Sequence, residues 1–480
     1  MLSARGVGKS GDFVTPVKRS GSPPNVLIPP AVFLAAFGYL YVFHRLGWFV
    51  EDEGVLYYQY LRVFHGEVPY RDFFTGYPPM VYYLHAWVFS LFGVSIHVIR
   101  VVMAVVNALT AAGLYVVGRR LAPRGFALIP PVLFLVMQPS DTAVMVFLNS
   151  PYPSWYATTF AVWGTWAMLR ALEATGTRRR VAWLVTAGVF GGLTLLSKQT
   201  AGVFFLWGVS GAFASYPAPK PSPWEAEAPL ARALRVGYLA LLPLAALLLV
   251  KEFLGAATLA LFVVPLAVLA VIGARQRFGP AAWRTLVVGF VCVALGVALT
   301  ITPWLVYFAM QMGFVPFLSA LLFLGSDVER NLYIPFPPAL ATTVLLLAPL
   351  AVWGLLVGAS GSAAKTRAPA PAARLRALAV LTVVALAVAL ALQAAAIGRV
   401  LRLDYNLWQI YSFTSEALDN LAAYLCVLVL AAALIVAWRQ AQGGVLEEDP
   451  EPAAFACVLW LAVCTFLAYY PRMDYAHLFG

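Results

Sequence analysis

Three consecutive carboxylates, Glu51, Asp52 and Glu53, stand directly after the first long apolar stretch of the chain. Carboxylates held against an apolar, partly dehydrated surface are poorly solvated, which favours the neutral form and moves them toward the range useful to a general base. The same run also suits a helix start, where acidic side chains complement the dipole and satisfy exposed N–H groups; that need alone can place an Asp there. Arg71, Lys198, Arg330 and Arg472 are cations in the connections and tail that flank apolar stretches, expected at the membrane surface. A guanidinium or ammonium in such a position can meet a phosphate through charge-assisted hydrogen bonds. For Lys198 the competing reading is an ammonium that merely reaches for water. Asp72 follows Arg71 within a turn, where Asp usually holds backbone geometry.

The elements that must position these groups are read from hydropathy. Of 480 residues, 62% are hydrophobic and 11% charged, far from the roughly 25% charged usage of soluble domains. Apolar runs fall near 26–45, 97–118, 125–138, 153–170, 181–196, 200–215, 236–250, 255–273, 285–310, 338–358, 377–396, 419–438 and 453–469. Most are about the length that crosses ~30 Å of hydrocarbon as a helix, which predicts an all-α polytopic membrane protein with about 13 transmembrane helices. The net charge of +11 therefore speaks to orientation and not to nucleic acid.

With the N-terminus in the cytoplasm, Arg119, Arg120, Arg124, Arg178, Arg179, Arg180, Arg275, Arg277, Lys365, Arg367, Arg374 and Arg376 share the inner side, as the positive-inside rule asks. Acidic residues gather on the opposite side. Carboxylates contribute little to orientation, so that clustering points to chemistry. Residues 1–25, with Arg5, Lys9, Lys18 and Arg19 among Gly, Ser and Pro, read as a disordered cytoplasmic tail. Residues 26–480 form the transmembrane domain, whose first external loop is 46–96; its first span reads as a signal anchor. Cys292, Cys426, Cys457 and Cys464 fall inside apolar spans and are expected as buried thiols.

Within 46–96, Leu56, Tyr60, Val63 and Phe64 recur at helical spacing, with Gln59 and Arg62 on another face. This predicts a short interfacial helix ending at Gly66, followed by a rigid Pro78-Pro79 turn and a second interfacial stretch, Val81 to Phe92. The run Asp52-Glu53, Tyr57-Tyr58, Gly66, Pro69-Tyr70-Arg71-Asp72-Phe73 and Tyr77-Pro78-Pro79 resembles the first external loop of GT-C glycosyltransferases, the group of protein O-mannosyltransferases and lipid A aminoarabinose transferases. The segment Gly191-Gly192-Leu193-Thr194-Leu195-Leu196-Ser197-Lys198-Gln199-Thr200 is similar to that family's Gly-rich span ending in an external Lys. The tail Tyr470-Pro471-Arg472-Met473-Asp474-Tyr475-Ala476-His477 resembles its bacterial members. The likeness is specific over about 45–200 and is one of hydropathy beyond. The family pattern leaves room for a further C-terminal part after Gly480.

The resemblance implies an inverting transferase that moves a sugar from a polyprenyl-phosphate donor to an acceptor hydroxyl, on a glycan, lipid or protein, at the external face of a bacterial plasma membrane. Asp52 would be the general base, and Glu53 would orient it or hold the acceptor. Asp141 would be the second loop acid, Lys198, Arg472, Arg330 and Arg71 would meet the lipid phosphate, and Tyr77, Asp72 and His477 would complete the substrate contacts. A lone His is more often structural. No cofactor is certain; a divalent cation could take Glu51, Asp52, Glu53 and Asp141 as oxygen ligands, and no zinc-type spacing occurs. Tyr152, Trp155, Tyr333, Trp408 and Tyr411 read first as an interfacial belt and second as sugar-stacking rings. The rival from another class is a lipid or solute transporter or flippase, which would place ionisable residues or broken helices near mid-membrane, often in related halves. A non-enzymatic scaffold leaves the external carboxylates without a cause.

Overall fold

The computed structural model describes residues 26–45, 52–136, 149–174, 176–215, 228–251, 254, 259–276, 282–323 and 450–467. Glu51, Asp141, Arg330, Arg472, His477, Cys426, Tyr333, Trp408, Tyr411 and the spans expected at 338–358, 377–396 and 419–438 lie outside these residues. The described chain is helical throughout, apart from turns and one isolated bridge between Pro69 and Phe73. The protein is an all-α, multi-pass membrane protein.

Helix α1 (Ile28–Val42) carries proline in its first turn, where the missing N–H costs nothing. Helices α2 (Asp52–Phe64) and α3 (Met80–Phe92) have 13 residues each, too few to cross a bilayer at about 1.5 Å per residue. On α2 the buried side chains are Glu53, Leu56, Tyr60 and Val63, the face that apolar spacing predicts; Phe64 is 36% exposed. Gly66 and Gly93 adopt φ of +93° and +85° just beyond the two helices. A side chain there would be strained, so glycine marks both ends.

Helix α4 (Ile96–Leu121) is capped by Ser95, whose hydroxyl accepts from the His97 N–H at 3.2 Å, and it closes on Arg119 and Arg120. Cations at that end complement the dipole. A 3-10 turn (Phe126–Leu128) leads into α5 (Ile129–Val136). Then follow α6 (Pro153–Glu173), α7 (Thr177–Ser197), α8 (Gln199–Ser215) and α9 (Pro229–Val250). A π-helical turn (Leu259–Val263) precedes α10 (Val264–Arg275), α11 (Ala282–Met312), α12 (Phe314–Phe323) and α13 (Pro450–Phe466). Among the described residues, four helices, Ile96–Leu121, Thr177–Ser197, Pro229–Val250 and Trp283–Met312, are long and apolar enough to cross a membrane.

Helices α7 and α9 begin earlier than the apolar runs at 181 and 236 suggest, at Thr177 and Pro229. Arg is a good helix former, so the helix runs on through Arg178–Arg180 and Arg232–Arg235 after hydrophobicity has ended. At that end of the bundle Arg120 meets Glu173 at 2.8 Å.

Small residues set how the spans pack. A Cβ on Gly188 would lie 2.1 Å from the Val293 carbonyl oxygen, and one on Gly296 equally close to that of Val185. The α7–α11 crossing is therefore backbone against backbone, the close approach that small residues permit between membrane helices. Gly191 faces Leu206 while Gly202 faces Leu195, so α7 and α8 run antiparallel with Lys198 at the corner between them. Gly208 and Gly211 receive Leu461 and Trp460 of α13. Cys292, Cys457 and Cys464 are buried free thiols, as expected.

Candidate active site

Asp52 and Glu53 open α2, and a helix turns about 100° between neighbours, so the two carboxylates part company. Asp52 is exposed, whereas Glu53 is fully buried. Glu53 takes two hydrogen bonds from Arg100 of α4: Nε to Oε1 at 2.7 Å and Nη2 to Oε2 at 2.7 Å. Arg100 Nη1 also donates to the His44 carbonyl at 3.3 Å. With no exposed surface, Glu53 cannot touch an acceptor; it fixes the start of α2 and thereby the place of Asp52.

Asp52 Oδ2 accepts a hydrogen bond from the Tyr152 hydroxyl at 2.7 Å. Burial first, and then the hydrogen bond to Asp52, push the Tyr152 phenol well above its ordinary range, so it remains a donor at any physiological pH. Tyr152 precedes the first turn of α6 in extended conformation, ahead of Pro153. The segment from Asn149 to Ser154 is tied by three further hydrogen bonds. Asn149 Nδ2 donates to the Leu40 carbonyl at 3.0 Å, the Tyr60 hydroxyl donates to the Pro151 carbonyl at 2.6 Å, and Lys198 Nζ donates to Ser154 Oγ at 3.1 Å.

Lys198 lies between α7 and α8 in extended conformation, its N–H still bonded to the Thr194 carbonyl at 2.9 Å. Beside it, Gln199 Nε2 donates to the Gly76 carbonyl at 3.0 Å. That contact brings in the loop before α3, where the Tyr77 N–H bonds Thr75 Oγ1 at 3.3 Å and the Tyr77 carbonyl accepts from the Tyr70 hydroxyl at 2.5 Å. Asp52 and Lys198, far apart in sequence, thus converge on the short segment that opens α6, and Gln199 ties the loop that carries Tyr77 to the same corner.

Arg71 and Asp72 lie elsewhere in the same loop. Arg71 grips Asp72 with Nε to Oδ1 at 2.9 Å and Nη2 to Oδ2 at 2.8 Å, while Nη1 reaches Gln311 Oε1 at 2.6 Å near the end of α11. The Val68 N–H adds a bond to Asp72 Oδ2 at 2.7 Å. Arg71, and after it that N–H, hold the Asp72 carboxyl down at about 2. The charge of Arg71 is matched by its neighbour, so in this arrangement the pair fastens the loop to α11. Tyr70, at a positive φ of 67°, packs its ring on Phe308 and Phe317, a strained backbone kept in place by an aromatic anchor.

Beneath the site, α2 and α3 share a buried polar layer. The His85 ring stacks on Tyr60 at 4.3 Å between centroids, and His85 Nε2 is 3.0 Å from the Tyr156 hydroxyl. Burial lowers the His85 pKa to about 3. Tyr82 meets both Thr75 Oγ1 and Gln59 Oε1, the latter at 3.1 Å.

Sequence reasoning missed Arg100 and the contact of Tyr152 with Asp52. A single Arg within the apolar run 97–118 was the signal for the first, because a charge among apolar residues requires a partner. Tyr152 had no such mark, since an aromatic at the end of a span is also what an interface selects. As to a divalent cation, no three His, Cys, Asp or Glu side chains converge among the described residues. Both oxygens of Glu53 are engaged by Arg100, while Glu51 and Asp141, the other carboxylates considered for a cation, lie outside the described residues.

Residues 77–216 match the family model described as dolichyl-phosphate-mannose-protein mannosyltransferase. The match bears out the resemblance to GT-C glycosyltransferases; it covers Tyr77, Tyr152, Ser154 and Lys198 and stops short of Asp52. Among solved structures, the chain is similar to ArnT from Cupriavidus metallidurans bound to undecaprenyl phosphate. Identity there is 14% over 92% of this chain and 76% of that one, with a TM-score of 0.36. It is also similar to the Archaeoglobus fulgidus oligosaccharyltransferase tethered with an acceptor peptide containing the NVT sequon, at 16% identity over 93% of this chain and 49% of that one, TM-score 0.38. No curated protein matches significantly.

Proposed function

We propose that this protein is an inverting glycosyltransferase that moves a sugar from a polyprenyl-phosphate donor to an acceptor hydroxyl on the external face of the membrane. The observation that carries the reading is the convergence of an exposed carboxylate, Asp52, and a lysine, Lys198, on Tyr152 and Ser154 of one segment. The match of residues 77–216 to the mannosyltransferase model supports it.

The chemistry follows from that pairing. A sugar joined through its anomeric carbon to a lipid phosphate already carries a good leaving group, so the protein must activate the acceptor and stabilise the departing anion. Asp52 takes the proton of the acceptor hydroxyl, and the acceptor oxygen bonds to the anomeric carbon. The bond from that carbon to the phosphate oxygen breaks, and its electron pair leaves with the polyprenyl phosphate, met by Lys198. A single displacement of this kind inverts the anomeric centre. With Arg119, Arg120 and Arg178–Arg180 at the cytoplasmic end of the bundle, the site lies at the opposite, external end.

Purified protein in proteoliposomes, given polyprenyl-phosphate sugars and hydroxyl acceptors, should release polyprenyl phosphate and glycosylated product together. Movement of the donor across the bilayer without product would establish the transporter reading in its place.

A further inference from the structure

We propose that Tyr152 is a positioning residue for the reaction, its hydroxyl fixing Asp52 Oδ2 so that Oδ1 takes the acceptor proton. The inference rests on the reading of Asp52 as the base. Its ground is geometric. The Tyr152 hydroxyl lies 2.7 Å from Asp52 Oδ2, and the backbone beneath it is pinned by the Tyr60 hydroxyl on Pro151 and by Asn149 on Leu40.

An Asp at an exposed helix start has two rotatable bonds, and either oxygen can face any direction. A phenol rising from a buried, tied segment removes that freedom at small entropic cost, because most of its own freedom has already been lost. An O–H donor bonds a carboxylate oxygen more strongly than it does a neutral acceptor. Ser154, two residues on, receives Lys198 Nζ at 3.1 Å. One short segment therefore sets the place of both the base and the cation, and so the span across which the acceptor and the phosphate must lie. The ionisable groups near the Tyr152 hydroxyl include, among the described residues, Asp52, Tyr77 and Glu53, with Lys198 on Ser154 of the same segment.

The test compares Asp52→Asn, Tyr152→Phe and the double variant of the full chain in proteoliposomes, with fluorotyrosine at position 152 as a further variant that preserves shape. For Tyr152→Phe the expected result is a kcat about 10- to 100-fold lower, with the KM for donor unchanged and the acidic limb of the pH–rate profile at higher pH. Fluorotyrosine, a stronger donor, should move that limb the other way. The double variant should be no slower than Asp52→Asn alone. A limb that stays fixed in both Tyr152 variants overturns the inference, even where rate is lost, because such loss would be structural. If Tyr152→Phe does not fold, the fluorotyrosine limb decides alone. If Asp52→Asn keeps full activity, it is the reading of Asp52 that fails, whatever Tyr152 does.

Discussion

Arg100 holds both carboxylate oxygens of Glu53 at 2.7 Å, and neither side chain is more than 3% exposed. Two charges taken out of solvent repay their desolvation only when each satisfies the other, and this bidentate geometry does so. The pair links α2 to α4 and so settles where Asp52 emerges. Replacing Glu53 by Ala strands a buried guanidinium, and the thermal stability of the detergent-solubilised protein should fall by about 3–5 kcal/mol. The Glu53→Leu, Arg100→Met double variant should regain much of that loss. A double variant no more stable than Glu53→Ala would show that the stranded charge is not the cause.

His85 gives the protein a pH-dependent stability. Its pKa is lowered to about 3 in the fold by burial, against about 6.5 in an unfolded chain. The unfolded state therefore binds the proton more readily. The contribution of neutral His85 is complete above about pH 6.5 and falls by up to about 1.4 kcal/mol per unit as pH drops toward 3. Melting curves between pH 7 and 4 should show this slope in the natural protein and a shallower one in His85→Gln; parallel slopes would contradict it.

Hydropathy revealed the helices as spans but not as partners. The runs at 97–118, 153–170 and 200–215 anticipate α4, α6 and α8 closely, because exclusion from water fixes where an apolar helix must lie. The interfacial α2 was legible from the spacing of Leu56, Tyr60 and Val63. The division of Asp52 from Glu53 depends on which way α2 turns against α4, and that orientation is set by Arg100, 47 residues away. Likewise, the convergence of Lys198 on Ser154 follows from the α7–α8 corner, which only the packed structure displays. Asp141, Arg330, Arg472 and His477 lie outside the described residues, and their part in the site is a proposal drawn from the family likeness.

Two helical glycines, one in α7 and one in α1, offer a contrasting pair of substitutions. Gly188 touches the Val293 backbone, whereas a Cβ on Gly38 of α1 would meet nothing within 4 Å. Gly188→Val should destabilise by about 1–3 kcal/mol or more through overpacking. Gly38→Ala should be neutral or stabilising by up to about 1 kcal/mol through helix propensity. Equal effects on the melting temperature would refute the close α7–α11 crossing.

If Lys198 meets the lipid phosphate, Lys198→Gln should raise the KM for donor about tenfold or more and leave the KM for acceptor close to its natural value. Competition by free polyprenyl phosphate should weaken in parallel. A variant with unchanged donor KM and unchanged competition would return Lys198 to the purely interfacial role.

The central claim is that the Asp52 carboxylate takes the acceptor proton. It is tested most directly by single-turnover sugar transfer in proteoliposomes at saturating donor, comparing the natural protein with Asp52→Asn. The amide retains shape and a partner for Tyr152 but cannot act as base. The chemical step should slow at least about 100-fold while donor affinity is retained; full-rate transfer by Asp52→Asn would mean that Asp52 is not the base.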